Sequence, residues 1–306
     1  MIINKNSEFK IMQILTRFWF REFSAYELSR ESKISVPMIY RAIDKFLSKK
    51  IISQNRKKVK INFNNSFAYN FKLLYDSERF SELSQEYQEK VNSILSAIKS
   101  EYLSDLLGFV IFGSVASEET TETSDLDILV IVKEKKEIDY RKKGLLKIEK
   151  VNIVEKNKNE FENEYLLAHD LVLNALMNGI VIFDEGVIRF LLTKPLPQPS
   201  NEIIMQKKER LDVLKDRLLV LLKDKDYKEL IEQFKLYIIE KARILFLQKN
   251  IIPSSKKYII DNLKEVDKNL YNLYHHVNNN NVGELLKNVW KSKRKFWVYK
   301  KKARAC

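Results

Sequence analysis

Two short apolar segments separated by a polar loop constrain the fold of this chain more than any other feature. The first covers residues 109–112 and is followed at once by Gly113 and Ser114. The second covers residues 128–132 and comes directly after Asp125-Leu126-Asp127. Apolar runs of this length are typical of strands buried inside a sheet. The sequence therefore predicts two core strands, one ending in Gly-Ser and the other beginning with Asp-x-Asp.

The residues at these strand ends indicate a site for a cation and an anion. Side chains alternate along a strand, so Asp125 and Asp127 share a face and lie about 7 Å apart. Paired carboxylates suit a hard divalent cation such as Mg²⁺. Gly113 permits close backbone approach, and Ser114 with the amides of a following helical turn can hold phosphate oxygens. The alternative is an ordinary turn with solvated aspartates.

The order of these features resembles the nucleotidyltransferase superfamily that includes DNA polymerase beta, in its small prokaryotic and archaeal branch. The resemblance covers about residues 86–188, with Gly113-Ser114-Val115-Ala116-Ser117 and Ser124-Asp125-Leu126-Asp127-Ile128 as its signature. It implies transfer of a nucleoside monophosphate from a nucleoside triphosphate (NTP), with two Mg²⁺ ions when the NTP is bound. Asp125 and Asp127 would be the catalytic metal ligands. Gly113, Ser114 and Ser124 would bind the nucleotide.

Two positions depart from the family pattern. The family usually has a third acid on another strand, and the matching position in the strand predicted over residues 148–154 is Asn152. An amide coordinates a metal weakly and cannot accept a proton, and Glu149 and Glu155 have the wrong parity to replace it. The arginine common after Gly-Ser is also missing. These departures leave two alternatives: an active transferase, or a domain that binds a nucleotide but is catalytically impaired.

Charge is distributed unevenly along the chain, whose net charge is +14. Residues 1–75 carry 15 Lys/Arg and 5 Asp/Glu, residues 76–190 carry 14 and 23, and residues 191–306 carry 26 and 13. The net charges are therefore +10, −9 and +13. An acidic middle between basic flanks favours polyanion contacts at the flanks, the alternative being a lysine-rich solvated surface.

Residues 1–75 predict three helices followed by a hairpin, with a capping box from Ser24 to Glu27 at the start of the second helix. This pattern resembles a winged helix-turn-helix domain, which implies that the third helix enters the major groove of duplex DNA while the hairpin touches the backbone. The alternative is a protein-interaction or dimerisation module, which leaves a homodimer open. The predicted DNA contacts are Tyr40, Arg41, Lys45, Arg56, Lys57 and Lys58.

The remaining segments complete an α+β multidomain prediction. Connecting helices are predicted over residues 76–107, a nucleotidyltransferase core with a mixed sheet over 108–190, a proline-containing linker over 191–201, and a helical bundle over 202–306. Residues 240–247 with Ile251-Ile252-Pro253 resemble the HEPN family. Ribonuclease members of that family use an arginine followed four to six residues later by a histidine. No histidine of this chain follows an arginine at that spacing, so no nuclease activity is assigned. Nine basic residues between Lys287 and Arg304, interleaved with aromatics, indicate either single-strand binding or a buried helix face.

Other sequence features limit the expected cellular location and the expected function. No apolar run reaches the roughly 20 residues that cross a bilayer, no signal peptide is evident, and the single cysteine is Cys306. We therefore expect a cytoplasmic protein without a membrane partner. The favoured function is a Mg²⁺-dependent nucleotidyltransferase tethered to a DNA-binding winged helix, with an RNA end, a protein hydroxyl or a small molecule as acceptor. The alternatives are a DNA-binding regulator with an impaired nucleotide domain and an antitoxin fused to its helical toxin.

Overall fold

The computed structural model describes residues 3, 5–117, 125–136, 150–253, 256–277 and 281–286. The chain divides into two units, Met1–Pro197 and Gln198–Cys306. The division lies within the predicted linker, where alternating prolines cannot continue a helix. Each unit has its own apolar core.

The first unit begins with three helices and a small antiparallel sheet, as the sequence predicts. The strands lie in the order β1-β3-β2, and a two-residue turn at Arg56 and Lys57 joins β2 to β3. The third helix buries Ile39, Ile43 and Phe46, which recur at helical spacing. The elements are α1 (Asn6–Arg17), β1 (Phe23–Ser24), α2 (Ala25–Ser32), α3 (Val36–Ser48), β2 (Ile52–Asn55) and β3 (Lys58–Ile61).

Two helices, α4 (Ser66–Ser81) and α5 (Gln85–Tyr102), follow the hairpin. The side chain of Asn65 caps α4 by accepting hydrogen bonds from the amides of Phe67 and Ala68. Helix α4 therefore begins before residue 75, where the sequence places the end of the N-terminal domain. As a result, one helix contacts both α1 and the central sheet of this unit.

A four-stranded mixed sheet forms the centre of the first unit, in the order β6-β5-β4-β7. Strands β5 and β6 are parallel, and β4 is antiparallel to both β5 and β7. The sheet and its helices confirm the predicted α+β class. These elements are β4 (Leu106–Phe112), α6 (Gly113–Ala116), β5 (Leu126–Val132), β6 (Val151–Asn157), α7 (Lys158–Leu166), α8 (Asp170–Asn178), β7 (Ile180–Asp184) and α9 (Val187–Leu192).

The predicted apolar segments are the two central strands, β4 and β5. Phe109 and Ile111 of β4 are fully buried, as are Ile128 and Val130 of β5, and they share a core with α5. Burial on both faces explains why these strands read as continuous apolar runs rather than as alternating ones. This packing fixes the register of the strands and therefore the positions of the polar residues at their ends.

The described part of the second unit is helical. Its core includes Leu218 of α10, Phe234 and Phe246 of α11 and Leu263 of α12. The helices are α10 (Asn201–Asp224), α11 (Tyr227–Gln248), α12 (Lys256–Val266) and α13 (Lys268–His276), and residues 282–286 are also helical. The predicted basic and aromatic segment from Lys287 to Arg304 lies outside the described residues. Within the described part of the chain, the helices are too short or too polar to cross a membrane.

Candidate functional site

Three strand ends meet at one edge of the central sheet, where the sequence predicts the site. The last residue of β4, Phe112, lies opposite Asp127 of β5, and Asp127 lies opposite Asn152 of β6. Gly113 follows directly and begins the short helix α6. The strand register therefore places Gly113, Asp127 and Asn152 side by side.

Gly113 is required here by both backbone and packing. Its φ angle is +74°, a conformation that L side chains rarely adopt. A Cβ atom at this position would lie 2.1 Å from Oδ2 of Asp127, far inside van der Waals contact. The turn that begins at Gly113 thus packs directly against the Asp127 carboxylate.

The two predicted acids occupy the start of β5. Asp127 is partly buried in the strand, and Asp125 is exposed immediately before it. Burial raises the pKa of Asp127, the nearby charge of Asp125 raises it further, and a hydrogen bond from Asn152 lowers it. That both carboxylates lie on the same side of the strand stays a prediction.

Asn152 contacts the site as a hydrogen-bond donor. Its Nδ2 atom donates to Oδ1 of Asp127 over 3.0 Å. Among the residues that the structure describes, no three Asp, Glu, His or Cys side chains are grouped as metal ligands. The predicted metal ligands at this edge are two carboxylates and, opposite Asp127 in the strand register, one amide. Carboxylate oxygens are ligands that Mg²⁺ prefers, so a metal-binding role for these residues stays a prediction.

Of the two predicted serines, Ser114 is among the described residues. Ser114 lies in the short helix α6, directly after Gly113. The amides of a first helical turn have no carbonyl partner within that turn. Ser124 lies outside the described residues, so its predicted role stays a prediction.

Arg79 was not among the predicted site residues, but it contacts this region. From α4, its Nη2 atom donates to the carbonyl oxygens of Ala116 (2.5 Å) and Asn178 (2.9 Å), and its Nη1 atom donates to that of Gly179 (3.0 Å). Ala116 is the last residue of α6. No sequence signal marks Arg79, because the backbone carbonyls that it contacts lie 37 to 100 residues away.

The predicted DNA contacts of α3 lie on its outer side. Tyr40 is 50% exposed, and Arg41 is also exposed. Lys45 is partly buried and forms an ion pair with the buried Glu8 of α1, with Nζ and Oε2 2.8 Å apart. Lys45 therefore has a structural partner, and its role in DNA binding stays a prediction.

The hairpin tip is basic and exposed. Arg56, Lys57 and Lys58 are all exposed, and Arg56 has a φ angle of +55° in the turn. Three cations at one solvent-facing turn are suited to phosphate contacts.

Comparison with known proteins assigns the central region. Residues 91–188 match the family model for the nucleotidyltransferase domain, a segment that contains Gly113, both aspartates and Asn152. This match supports nucleoside monophosphate transfer, with an NTP as substrate, as the general chemistry. A solved structure of a nucleotidyltransferase-like protein from Exiguobacterium sibiricum 255-15 is 16% identical and has a TM-score of 0.36, with 65% of this chain and 73% of that chain covered. No curated protein matches the chain. The family-model match supports the predicted nucleotidyltransferase domain over residues 91–188, whereas the winged-helix and HEPN assignments stay predictions.

Proposed function

We propose that this protein is a Mg²⁺-dependent nucleotidyltransferase that moves a nucleoside monophosphate from an NTP to an acceptor hydroxyl. The observation that carries the proposal is the packing of the Gly113 turn against Asp127, with Asp125 two residues before it in the sequence. This arrangement would place an anion-binding turn beside a pair of carboxylates. A metal-bound triphosphate requires both.

The residues of the site would have different roles in binding the metal and the phosphates. Asp125 and Asp127 would hold the metal, which when bound neutralises phosphate charge and activates the attacking hydroxyl. Gly113 allows the turn to pack against Asp127, and the turn amides with Ser114 would donate hydrogen bonds to phosphate oxygens. Partial burial reduces the solvent screening of Asp127, so its charge acts more strongly on a nearby cation than a fully exposed carboxylate would.

A second candidate function follows from Asn152. Its amide donates to Asp127, so this position supplies neither a negative charge nor a proton acceptor. A domain with this donor set can bind a nucleotide as a signal without transferring it efficiently. The protein would then be a DNA-binding regulator whose nucleotidyltransferase domain is catalytically impaired.

An assay with each labelled NTP separates these functions. The full-length protein is incubated with Mg²⁺, with and without cell extract as a source of acceptor, and label transfer and pyrophosphate release are followed. The first function predicts both products with at least one NTP. Tight Mg²⁺-dependent binding without release of pyrophosphate would support the second function instead.

The N-terminal elements support duplex DNA as a second partner. The order α1-β1-α2-α3-β2-β3 agrees with a winged helix, and α3 presents Tyr40 and Arg41 to solvent. The exposed cations of the hairpin tip would contact phosphates on the same duplex. We further propose that the helical second unit is HEPN-like.

A further inference from the structure

We propose that Arg79 is a positioning residue that holds the Gly113–Ala116 turn in place from helix α4. This inference rests on the proposed function, because the turn is the one assigned to bind phosphate. Arg79 contacts the carbonyl end of the turn, so it acts on the site through Ala116.

The geometry around Arg79 is specific to an arginine. The side chain is 11% exposed, and its planar guanidinium contacts three backbone carbonyls and Oδ1 of Asp76. Two of these carbonyls, those of Asn178 and Gly179, lie at the end of α8, and the third belongs to Ala116 at the end of α6. A lysine carries the same charge but lacks the fork of donors that serves several acceptors at once.

The surroundings fix Arg79 itself. Asp76 is fully buried, accepts a hydrogen bond from the amide of Val181 over 2.9 Å and pairs with the buried Lys72. Helix α4 is thereby fastened to β7 one turn before Arg79. Removing the multiple contacts of Arg79 therefore frees the turn without detaching the helix.

Helix α4 also contacts the N-terminal elements. Phe71 of α4 packs edge to face on Phe9 of α1, with ring centroids 5.3 Å apart, and Gln13 of α1 donates to Glu78. Trp19, which follows α1, donates from Nε1 to the carbonyl of Leu176 in α8. The carbonyl ends held by Arg79 are thus connected through packed side chains to the predicted DNA-binding elements.

A matched pair of substitutions tests the role of Arg79. Arg79→Lys keeps the charge beside Asp76 and loses the carbonyl contacts. Arg189→Lys is the control: Arg189 also donates to two carbonyls, those of Phe63 and Asn64, and to Ser66, but it does not contact α6. Thermal unfolding of the full-length variants measures the general loss of stability in each.

The deciding measurement is amide hydrogen exchange of residues 113–117. We expect Arg79→Lys to speed this exchange about tenfold and to weaken Mg²⁺-NTP affinity by a similar factor, as for the loss of one hydrogen bond to a charged group. Arg189→Lys should change neither. If Arg79→Lys does not fold, Arg79→Gln, which keeps an N–H donor, replaces it.

The outcomes separate this inference from the proposed function. Equal exchange of the turn in the two variants would overturn the positioning role. If the wild-type protein binds no NTP, the proposed function fails, while the exchange measurement still decides whether Arg79 holds the turn.

Discussion

Gly113 is the residue at which the candidate site tolerates least change. Gly113→Ala would place a methyl group against the Asp127 carboxylate and force the carboxylate or the turn to move. Gly186→Ala is a matched control, since Gly186 also has a positive φ angle, +96°, but its Cβ would meet nothing within 4 Å. Both substitutions should cost about 1–2 kcal/mol of stability through backbone strain.

Nucleotide binding distinguishes the two glycine variants. We expect Gly113→Ala to weaken Mg²⁺-NTP affinity at least about tenfold, equivalent to 1.4 kcal/mol, and Gly186→Ala to leave it unchanged. Titration calorimetry measures both. Equal affinities for the two variants would show that the turn at Gly113 does not contribute to the site.

Asn152 determines how well the site can catalyse. Asn152→Asp restores a charge and a proton acceptor beside Asp127, so it should raise the rate of nucleotidyl transfer by about 10²–10⁴-fold if the missing acid limits catalysis. Asn152→Ala is the control, because it removes the hydrogen bond without adding charge. Initial rates of pyrophosphate release compare the three proteins. An inactive wild type that remains inactive after Asn152→Asp would contradict this explanation.

At the residue scale, local sequence patterns predicted the site residues, whereas contacts between distant parts of the chain could not be predicted. The positions of Gly113, Asp127 and Asn152 follow from strand parity and from the order of motifs along the chain. Arg79 could not be predicted, because its partners are backbone carbonyls brought close only by folding. The ion pair of Lys45 with Glu8 also depends on packing between α1 and α3, since the two residues are 37 positions apart in the sequence.

At the element scale, helix α2 shows how a local motif sets pH dependence. The predicted capping box is confirmed: Ser24 accepts from the amide of Glu27, and the Glu27 carboxylate accepts from the amide of Ser24. The hydrogen bonds that the Glu27 carboxylate accepts from the amide and the hydroxyl of Ser24 and from Arg21 lower the pKa of Glu27 from its ordinary value of 4.5 to about 2. Because the folded-state pKa is the lower one, Glu27 stabilises α2 above pH 4.5, and this stabilisation is lost as the pH falls toward 2.

Glu27→Gln tests this contribution. Above pH 4.5 the variant should lose about 1 kcal/mol of local stability in α2, and the difference from wild type should shrink as the pH falls through 4 toward 2. Glu31→Gln, in the same helix, is the control and should show no such trend. Amide hydrogen exchange in α2, compared between proteins at each pH, measures the effect. A difference that is constant with pH would contradict the assignment.

The start of helix α4 is an element boundary that the sequence does not predict. The side-chain cap at Asn65 begins the helix ten residues before the predicted connecting segment, and the polar asparagines around it give no unique start. Buried charges within α4, Lys72 and Asp76, also conceal its inward face from a hydrophobicity pattern. Their i,i+4 spacing permits the ion pair within the helix, but their burial follows from the packing of α4 against β7.

At the scale of the whole molecule, the charge distribution predicts binding of duplex DNA. Affinity should fall steeply with salt, with a log–log slope of about −0.9 per phosphate contacted. Replacing Lys57 and Lys58 with Gln should weaken binding to all sequences and flatten the slope. The double substitution of Lys208 and Lys223 with Gln, in α10, is the charge-matched control.

Arg41 should behave differently from the hairpin cations. Arg41→Gln is expected to relax sequence preference and to cost about 1–3 kcal/mol at its preferred base. Mobility-shift titrations of the full-length proteins on a mixed duplex pool, across salt concentrations, measure both effects. Absence of binding at low salt would leave the N-terminal elements as a protein-interaction module.

The central claim is that the carboxylates at the start of β5 bind a metal-bound triphosphate. Calorimetric titration of Asp127→Asn with each NTP, with and without Mg²⁺, tests it most directly. Asp105→Asn is the control, since Asp105 lies at the opposite end of β4 and pairs with Lys133 and Lys136. We predict that wild type and Asp105→Asn bind the Mg²⁺-NTP and that Asp127→Asn loses most of the Mg²⁺-dependent affinity. Undiminished, Mg²⁺-dependent binding by Asp127→Asn would contradict the claim.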